Sequence, residues 1–320
     1  MGLQGLEPAA GADLARRAAA LKHLTSLPLQ VGVAVHNAAH ELVAAIRGRR
    51  RRPDYEDLLV SARYTLNQVW RSSQPDLIER FWSLPGVHPA LRELVYGGTL
   101  REFEIEEARW RLQRCLANLC DAPVLDDLEE ASRDDIRLEF PGPESFTLGP
   151  GLTVWVALDL AYRHVDPRSH DRLVDGPTWC VTDFKTGRTI YEDDERLQLA
   201  GYGLWLREMG YPATDGAYLG RIIDLVRGCD RWYRLGPEEL AAAEAVIVAD
   251  TARQHALMVD PTRVLPRPMA DWALAHPASG ACRRCNFLEL CLPELSRAYG
   301  PLGRRLSPLR TACVRQEAAE

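Results

Sequence analysis

The chain has 320 residues, of which 46% are hydrophobic and 26% are charged, so it can bury a sizeable core in one large domain or two small ones. Its formal net charge of -6 argues against non-specific binding of polyanions by the whole surface. No apolar run approaches the roughly 20 residues that a membrane-spanning helix needs, and the N-terminus lacks the pattern of a signal peptide. We therefore expect a cytoplasmic protein with no membrane partner.

The first part of the chain is predicted to be helical. Between about Asp13 and Asp121 several apolar stretches repeat with a period near 3.6 residues, among them VAVHNAAHELVAAIR and EEARWRLQRCLANLC. The stretch RLEFPGPESFTLGPG follows, and its prolines and glycines predict one early strand and then turns. The helical part is therefore expected to end before the strands begin.

After this stretch the periodicity indicates strands. LTVWVALDLAYRHV predicts one strand and TWCVTDFKTG a second, joined by a polar loop in a hairpin-like arrangement. EDDERLQLAGYGLWLREMG predicts a helix, because acidic residues open it and Gly210 closes it. GAYLGRIIDLV and DRWYRLG predict two further strands, and PEELAAAEAVIVADTARQHAL predicts another helix.

Polar residues intrude on these apolar elements at five positions, which are Asp159, Asp183, Lys185, Gln198 and Tyr202. Because side chains alternate across a strand, Asp183 and Lys185 project from the same face. Burying a carboxylate alone is costly, so a cation, the lysine or both should lie between the two aspartates. Oxygen ligands of this kind suit Mg²⁺ or Mn²⁺. The alternative is that Asp183 and Lys185 form an ordinary ion pair at the end of a strand.

The order of these residues resembles the PD-(D/E)XK nuclease superfamily, specifically its RecB-like exonuclease branch. That branch typically shows G-x3-H on an N-terminal helix, an aspartate in a first strand, D-x-K-[TS]-G in the next strand and Q-x3-Y on the following helix. The matching residues here are Gly32 and His36, Asp159, Asp183 to Gly187, and Gln198 with Tyr202. The resemblance covers about 21–292, with one departure, since WVAL precedes Asp159 where the branch usually has G-x2.

The resemblance implies an α/β fold with a restriction-endonuclease-like core, in which helices flank a mixed central sheet. We expect a helical N-terminal region over residues 1–130, a nuclease core over 131–275, and a C-terminal cysteine cluster and tail over 276–320. The implied activity is that of a Mg²⁺- or Mn²⁺-dependent deoxyribonuclease, an exonuclease acting on a single strand or a duplex end. The implied setting is DNA repair, recombination, or anti-phage and CRISPR-type DNA processing, with a helicase or CRISPR partner.

The same resemblance assigns roles to the site residues. The expected metal ligands are His36, Asp159, Asp183 and the backbone carbonyl of Phe184. The expected catalytic residues are Asp159, Asp183, Lys185, Gln198 and Tyr202. Lys185 would position or help to deprotonate the attacking water, while Gln198 and Tyr202 would orient Lys185 and the DNA backbone.

Two other functions stay open. The chain could keep the nuclease fold as a DNA-binding or scaffold subunit that acts with a helicase or another partner. It could also be a small-molecule enzyme that uses the same carboxylates for metal-assisted hydrolysis, because fold does not dictate function.

A run of basic residues, RGRRRRP, contains Arg49, Arg50, Arg51 and Arg52. A run of like charges often forms a solvated loop after a helix. The other interpretation is that these arginines bind nucleic acid through its phosphates.

The stretch CRRCNFLELC places Cys282, Cys285 and Cys291 as C-x2-C-x5-C. Zinc knuckles and iron–sulfur sites both use C-x2-C. In the RecB-like branch such a triplet joins an upstream cysteine to bind a structural [4Fe-4S] cluster.

Here no cysteine precedes Cys115, so the fourth ligand is not identified. One explanation is a missing segment upstream of Met1. Another is substitution by Cys115, Cys120 or Cys313, and a third is that the site binds Zn²⁺ or is empty.

Overall fold

The structure is a computed structural model of the 320-residue chain. It describes residues 8–83, 89–96, 99–138, 144–149, 151–164, 173–187, 192–260, 265–267, 282 and 285–300. None of the described helices is both long enough and apolar enough to cross a lipid bilayer.

Helices and strands are both well represented. The helices are α1 (Pro8–Lys22), α2 (Leu27–Arg47), α3 (Tyr55–Ser72), α4 (Ile78–Ser83), α5 (Arg92–Val95), α6 (Glu102–Cys120), α7 (Val124–Glu130), α8 (Glu192–Glu208), α9 (Pro237–Ala256) and α10 (Leu288–Tyr299). The strands are β1 (Leu24–Thr25), β2 (Ala90–Leu91), β3 (Ile136–Leu138), β4 (Glu144–Leu148), β5 (Leu152–Val156), β6 (Leu160–His164), β7 (Thr178–Lys185), β8 (Tyr218–Asp224), β9 (Cys229–Leu235), β10 (Met258–Asp260) and β11 (Leu265–Pro266). The chain is therefore a mixed α/β protein.

The chain divides into two compact units. The first contains residues 1–30, 65–106 and 251–320, and the second contains 31–64 and 107–250. The first unit is mainly helical, with β1 parallel to β2 and β10 antiparallel to β11. Its buried core forms around Leu21, Leu24 and Phe81.

The second unit is built on a five-stranded sheet in the order β3-β6-β7-β8-β9. The β7–β8 pair is parallel, whereas β3–β6, β6–β7 and β8–β9 are antiparallel, so the sheet is mixed. Helix α8 connects the parallel pair, as a parallel connection requires. The restriction-endonuclease-like identity of this core, and the three predicted regions of the chain, stay predictions.

The two central strands are buried on both faces, because helices cover the sheet. Every residue of β8 is buried, as is every residue of β7 before Lys185. Leu199 of α8 lies directly over Gly220 of β8, where an added Cβ would come within 3.0 Å of the leucine side chain. A side chain at position 220 would therefore push α8 away from the sheet.

Two strand predictions were wrong in detail. ESFTL, expected as turns, is strand β4, because Phe146 and Leu148 are buried while Ser145 and Thr147 are exposed. LTVWVALDLAYRHV is not one strand but two, since β5 pairs with β4 while β6 joins the five-stranded sheet. The break falls at 157–159, so Asp159 stands just before β6 rather than within a strand.

A buried ion cluster joins four elements of the second unit. The guanidinium of Arg221 on β8 pairs with Asp127 of α7 at 2.6 Å and with Asp230 of β9. It also donates to the hydroxyl of Tyr162 on β6 at 3.1 Å and lies over the ring of Trp232. Removal of one buried partner leaves the opposite charges unpaired in a low-dielectric interior. Truncation of a residue in such a cluster therefore lowers the stability of the fold strongly.

We expect Arg221→Ala to lower the free energy of unfolding by about 3–5 kcal/mol, because it leaves two largely buried carboxylates uncompensated. Arg207→Ala is the matched control, since Arg207 pairs with the accessible Glu208 and Glu244 and should cost at most about 1 kcal/mol. Denaturant unfolding measures both values. Equal losses for the two variants would show that the cluster contributes no more than a surface ion pair.

Candidate active site

Four parts of the second unit meet at the C-terminal end of β7. They are β7 itself, the turn just before β6, helix α2 and helix α8. The antiparallel register sets Leu160 of β6 opposite Thr182 of β7, so the residues on either side of this pair, Asp159 and Asp183, are neighbours. The two aspartates thus lie next to each other, and their role in a shared metal site stays a prediction.

Asp183 is buried and is contacted from three sides. Its Oδ2 lies 2.8 Å from Nζ of Lys185, and its Oδ1 accepts a hydrogen bond of 2.7 Å from Nε2 of Gln198. The same lysine donates to Oε1 of Gln198 at 2.6 Å. Tyr202 lies one helical turn from Gln198, accepts a hydrogen bond from it and donates to the carbonyl of Ala157 at 3.0 Å. Gln198 therefore fixes the carboxylate and the amine relative to one another.

Asp159 connects this group to α2. Its Oδ1 lies 3.0 Å from Nδ1 of His36, and its Oδ2 accepts a hydrogen bond of 2.9 Å from the backbone N–H of Phe184. The His36 ring also contacts the edge of the Phe184 ring. All the residues predicted to bind metal therefore lie together in the second unit.

Gly32 explains how α2 reaches the site. One helical turn before His36, a Cβ at position 32 would stand 3.0 Å from Oγ1 of Thr186, the residue after Lys185. A glycine therefore permits close approach of the helix to the end of β7. The G-x3-H spacing thus has a steric cause as well as a chemical one.

The electrostatics of the site disfavour two ionised aspartates. Burial, and next the charge of Asp159, raise the pKa of Asp183 to about 6, although Lys185 acts in the opposite direction. Burial lowers the pKa of His36, but its hydrogen bond to Asp159 and the charges of Asp159 and Asp183 outweigh burial, so the pKa is raised. Negative charge is therefore in excess between His36 and Lys185.

The donor set suits a divalent cation. It combines two carboxylates, an imidazole and a backbone carbonyl, the ligand types that Mg²⁺ and Mn²⁺ accept. Oδ2 of Asp183 is buried and makes no hydrogen bond, although it is ion-paired with Lys185. Within the described parts of the chain no three His, Cys, Asp or Glu side chains are grouped closely enough to hold a metal ion as they stand. In this arrangement Asp159 is paired with His36 and Asp183 with Lys185, and metal binding stays a prediction.

A second ion cluster supports α8, and sequence reasoning missed it. Glu195, one turn before Gln198, is buried and pairs with the guanidinium of Arg231 on β9 through both carboxylate oxygens, at 2.7 Å and 2.9 Å. Arg231 also reaches Asp224 at the end of β8. The available signal was the spacing of Glu195, Gln198 and Tyr202, which places them on one face of the helix.

Residue usage supplies another signal that was overlooked. The chain has 39 basic residues, and its sequence contains only two lysines, Lys22 and Lys185. Arginine cannot lose its proton at physiological pH and has a wide planar head, whereas lysine presents a compact amine. This chain uses arginine at almost every basic position but lysine beside Asp183. A simple ion pair does not explain that lysine, because an arginine could form one as well.

The arginine run has partners of its own. Arg51 pairs with Asp54 and Asp57, and Arg52 pairs with Glu129. Arg49 donates to the backbone carbonyls of Glu129 and Ala131. Arg50 donates to the carbonyl of Ala44, and Arg52 to that of Cys120. A DNA-binding role for Arg49, Arg50, Arg51 and Arg52 stays a prediction.

The cysteine triplet lies in the first unit. Cys282 is buried, Cys285 and Cys291 are half-buried, and burial, followed by the other two thiols, raises the pKa of Cys291. Asn286, within the triplet, donates to the carbonyl of Leu24 at 2.6 Å and accepts a hydrogen bond from Tyr96. Hydrogen bonds thus join this segment to the chain just before α2.

The cluster and its fourth ligand stay predictions. Cys115 is buried on α6, with Arg111 and Asp224 nearby, and Cys120 ends the same helix. Cys313 lies outside the described residues.

We expect Asp183→Asn to raise the free energy of unfolding of the metal-free protein above pH 6 by about 2–3 kcal/mol. Asparagine keeps the hydrogen bond from Gln198 and removes the cost of ionising a buried carboxyl. Because the folded pKa lies above the unfolded one, the gain should fade as the pH falls toward about 4. Denaturant unfolding in a chelator at several pH values measures it, with the exposed Asp76→Asn as control. A stability loss at pH 8 would contradict the electrostatic account.

Comparison with known proteins assigns no family to this geometry. No family model matches the chain, and no curated protein matches it. The functional conclusion therefore depends on the contacts of the site and on the order of its residues.

Proposed function

We propose that the chain is a metal-dependent deoxyribonuclease that hydrolyses phosphodiester bonds. The observation that carries the proposal is the network around Asp183. Residues from α2, β7, α8 and the turn before β6 converge there in the order typical of RecB-like nucleases. An exonuclease mode, the helicase or CRISPR partner and the pathway come from the resemblance alone.

His36, Asp159, Asp183 and the carbonyl of Phe184 would bind Mg²⁺ or Mn²⁺. When bound, the cation would neutralise charge on the scissile phosphate and favour ionisation of the attacking water. It would also relieve the excess negative charge that raises the pKa of Asp183. Binding of the cation, rather than contacts within the folded chain, would then offset the free-energy cost of burying this carboxylate.

Lys185 is the residue best placed to contact the substrate. Its amine is partly exposed, and Asp183 and Gln198 hold it in place. From there it would donate a hydrogen bond to a phosphate oxygen or orient the water. The attacking water gives up one proton to solvent as its oxygen forms a bond to phosphorus, the bond to the leaving deoxyribose oxygen breaks, and that oxygen takes up a proton.

Gln198 and Tyr202 act through their neighbours. Gln198 bridges the amine and the carboxylate, and Tyr202 ties Gln198 to the backbone just before Asp159. Preorganised groups of this kind cost no reorganisation during the reaction. Both are therefore positioning residues, with Glu195 and Arg231 behind them.

We expect Lys185→Ala and Lys185→Arg each to lower the rate of DNA cleavage by about two to three orders of magnitude. Arginine keeps the charge but brings a wider head that does not give up its proton. Cleavage of end-labelled single- and double-stranded DNA with Mg²⁺ or Mn²⁺ measures the rates, and product lengths give polarity. Lys22→Ala and Lys22→Arg are the controls, because Lys22 is exposed at the end of α1.

Full activity of the Lys185 variants would contradict the assignment of this site. DNA binding without metal-dependent cleavage by the intact protein would favour the scaffold function. Hydrolysis of small phosphoesters without competition from DNA would favour the small-molecule enzyme.

Metal binding has a test that does not depend on activity. Mn²⁺ at about 100 times its dissociation constant should add about 2.7 kcal/mol to the free energy of unfolding of the intact protein. The gain should be absent in Asp183→Asn, which lacks a charged ligand, and unchanged in Asp76→Asn. Thermal melting with and without Mn²⁺ measures it. Equal gains in all three proteins would place the metal elsewhere.

A further inference from the structure

The turn between β8 and β9 begins beside Lys185. The register pairs Lys185 of β7 with Asp224 of β8, and the backbone carbonyl of Lys185 accepts a hydrogen bond of 2.9 Å from Leu225. The chain then turns through Val226 and Arg227 before β9. This turn is therefore continuous with the candidate active site.

Helix α6 lies against the same turn. Asn118 donates to the carbonyl of Leu225 at 2.8 Å, and the exposed Arg114, one helical turn earlier, reaches the carbonyl of Val226 at 3.4 Å. The head of Arg227 is exposed beside it. Arg114 and Arg227 thus project from two elements that meet at one turn.

The acid that balances Arg227 is buried. The side chain of Asp224 is 1% exposed, whereas that of Arg227, which pairs with it, is 40% exposed. Asp224 is also satisfied by Arg231 and by the backbone N–H groups of Val226 and Arg227. Solvent therefore meets the cation of this pair and not the anion.

The arginine run after α2 has the opposite arrangement. Arg51 pairs with Asp54, whose side chain is 64% exposed, and Arg52 pairs with Glu129, which is 50% exposed. An approaching polyanion would meet exposed carboxylates there. Burial of the counter-charges, rather than the number of arginines, distinguishes the two surfaces.

We propose that Arg114 and Arg227 form the surface that binds the phosphate backbone of the DNA strand entering or leaving the active site. The inference rests on the proposed nuclease function and names the surface through which its substrate is held. Phosphate contacts of this kind position a strand without reading its bases. Arg231 is not part of the contact, because it fixes Glu195 and through it α8.

The test compares three variants of the full chain. The first carries both Arg114→Gln and Arg227→Gln, the second carries both Arg51→Gln and Arg52→Gln, and the third is the distant single variant Arg207→Gln. Fluorescence anisotropy with labelled single-stranded DNA in a chelator gives dissociation constants at several salt concentrations without cleavage. We expect the first variant to bind about tenfold more weakly. The magnitude of its slope of log affinity against log salt concentration should decrease by about 1.4, because two phosphate contacts are lost. Arg207→Gln should bind as the intact protein does.

Unchanged affinity and salt slope in the Arg114 and Arg227 variant would overturn the inference, as would an equal or larger loss in the Arg51 and Arg52 variant. Should the double glutamine variant fail to fold, Arg227→Gln alone is the second variant, with Arg227→Lys expected to restore most of the binding. Cleavage separates substrate binding from chemistry, because the variant should raise KM and leave kcat near that of the intact protein.

The outcomes keep the two proposals apart. If the intact protein cleaves DNA and substitution of Arg114 and Arg227 leaves DNA binding unchanged, the inference is wrong and the nuclease function stands. Binding that depends on these arginines without any cleavage removes the nuclease function and leaves the DNA surface. Absence of DNA binding by the intact protein removes both.

Discussion

The arrangement around the site depends on one costly feature, a buried carboxylate at the end of a central strand. Asp183 stands where the neighbouring residues of β7 are buried, and Asp159 lies beside it. Unpaired charge in such a place destabilises a fold by several kcal/mol, on the order of its whole net stability. Lys185 and Gln198 each reduce that cost, yet the pKa of Asp183 is still raised to about 6. A carboxyl that remains costly to ionise with both partners in place suits a cation that the chain alone does not supply.

The rest of the second unit keeps those partners in place. Helix α8 is held by the packing of Leu199 on Gly220 and by the buried ion pair of Glu195, and these two contacts lie on either side of Gln198. The Arg221 cluster ties β8 to its neighbours below the site. Asp224 joins two arginines of this region, since it pairs with the partly exposed Arg227 and with Arg231, which also holds Glu195 of α8. One buried acid would thus connect the stability of α8 with the proposed DNA surface.

Much of the site could be predicted from the sequence, because period-2 alternation and helical spacing are local. Those rules placed Asp183 and Lys185 on one face and Gln198 and Tyr202 on one turn. They failed where pairing is non-local. Nothing in LTVWVALDLAYRHV reveals that β5 pairs with β4 while β6 joins the five-stranded sheet. The turn-forming residues around ESFTL likewise concealed strand β4. Helical spacing could place Glu195 on the face of Gln198 and Tyr202, but it could not identify Arg231 as its partner, because the two residues are far apart in the chain. A run such as Arg49 to Arg52 also shows charge but not where its counter-charges lie.

The most direct test of the central claim is an anomalous difference map from crystals of the intact protein soaked in Mn²⁺. The account predicts a strong peak beside the Asp183 carboxylate, within ligand distance of Asp159, and no such peak in crystals of Asp183→Asn. A site without a peak in the intact protein, or a Mn²⁺ ion held by other residues while DNA is cleaved, would contradict it.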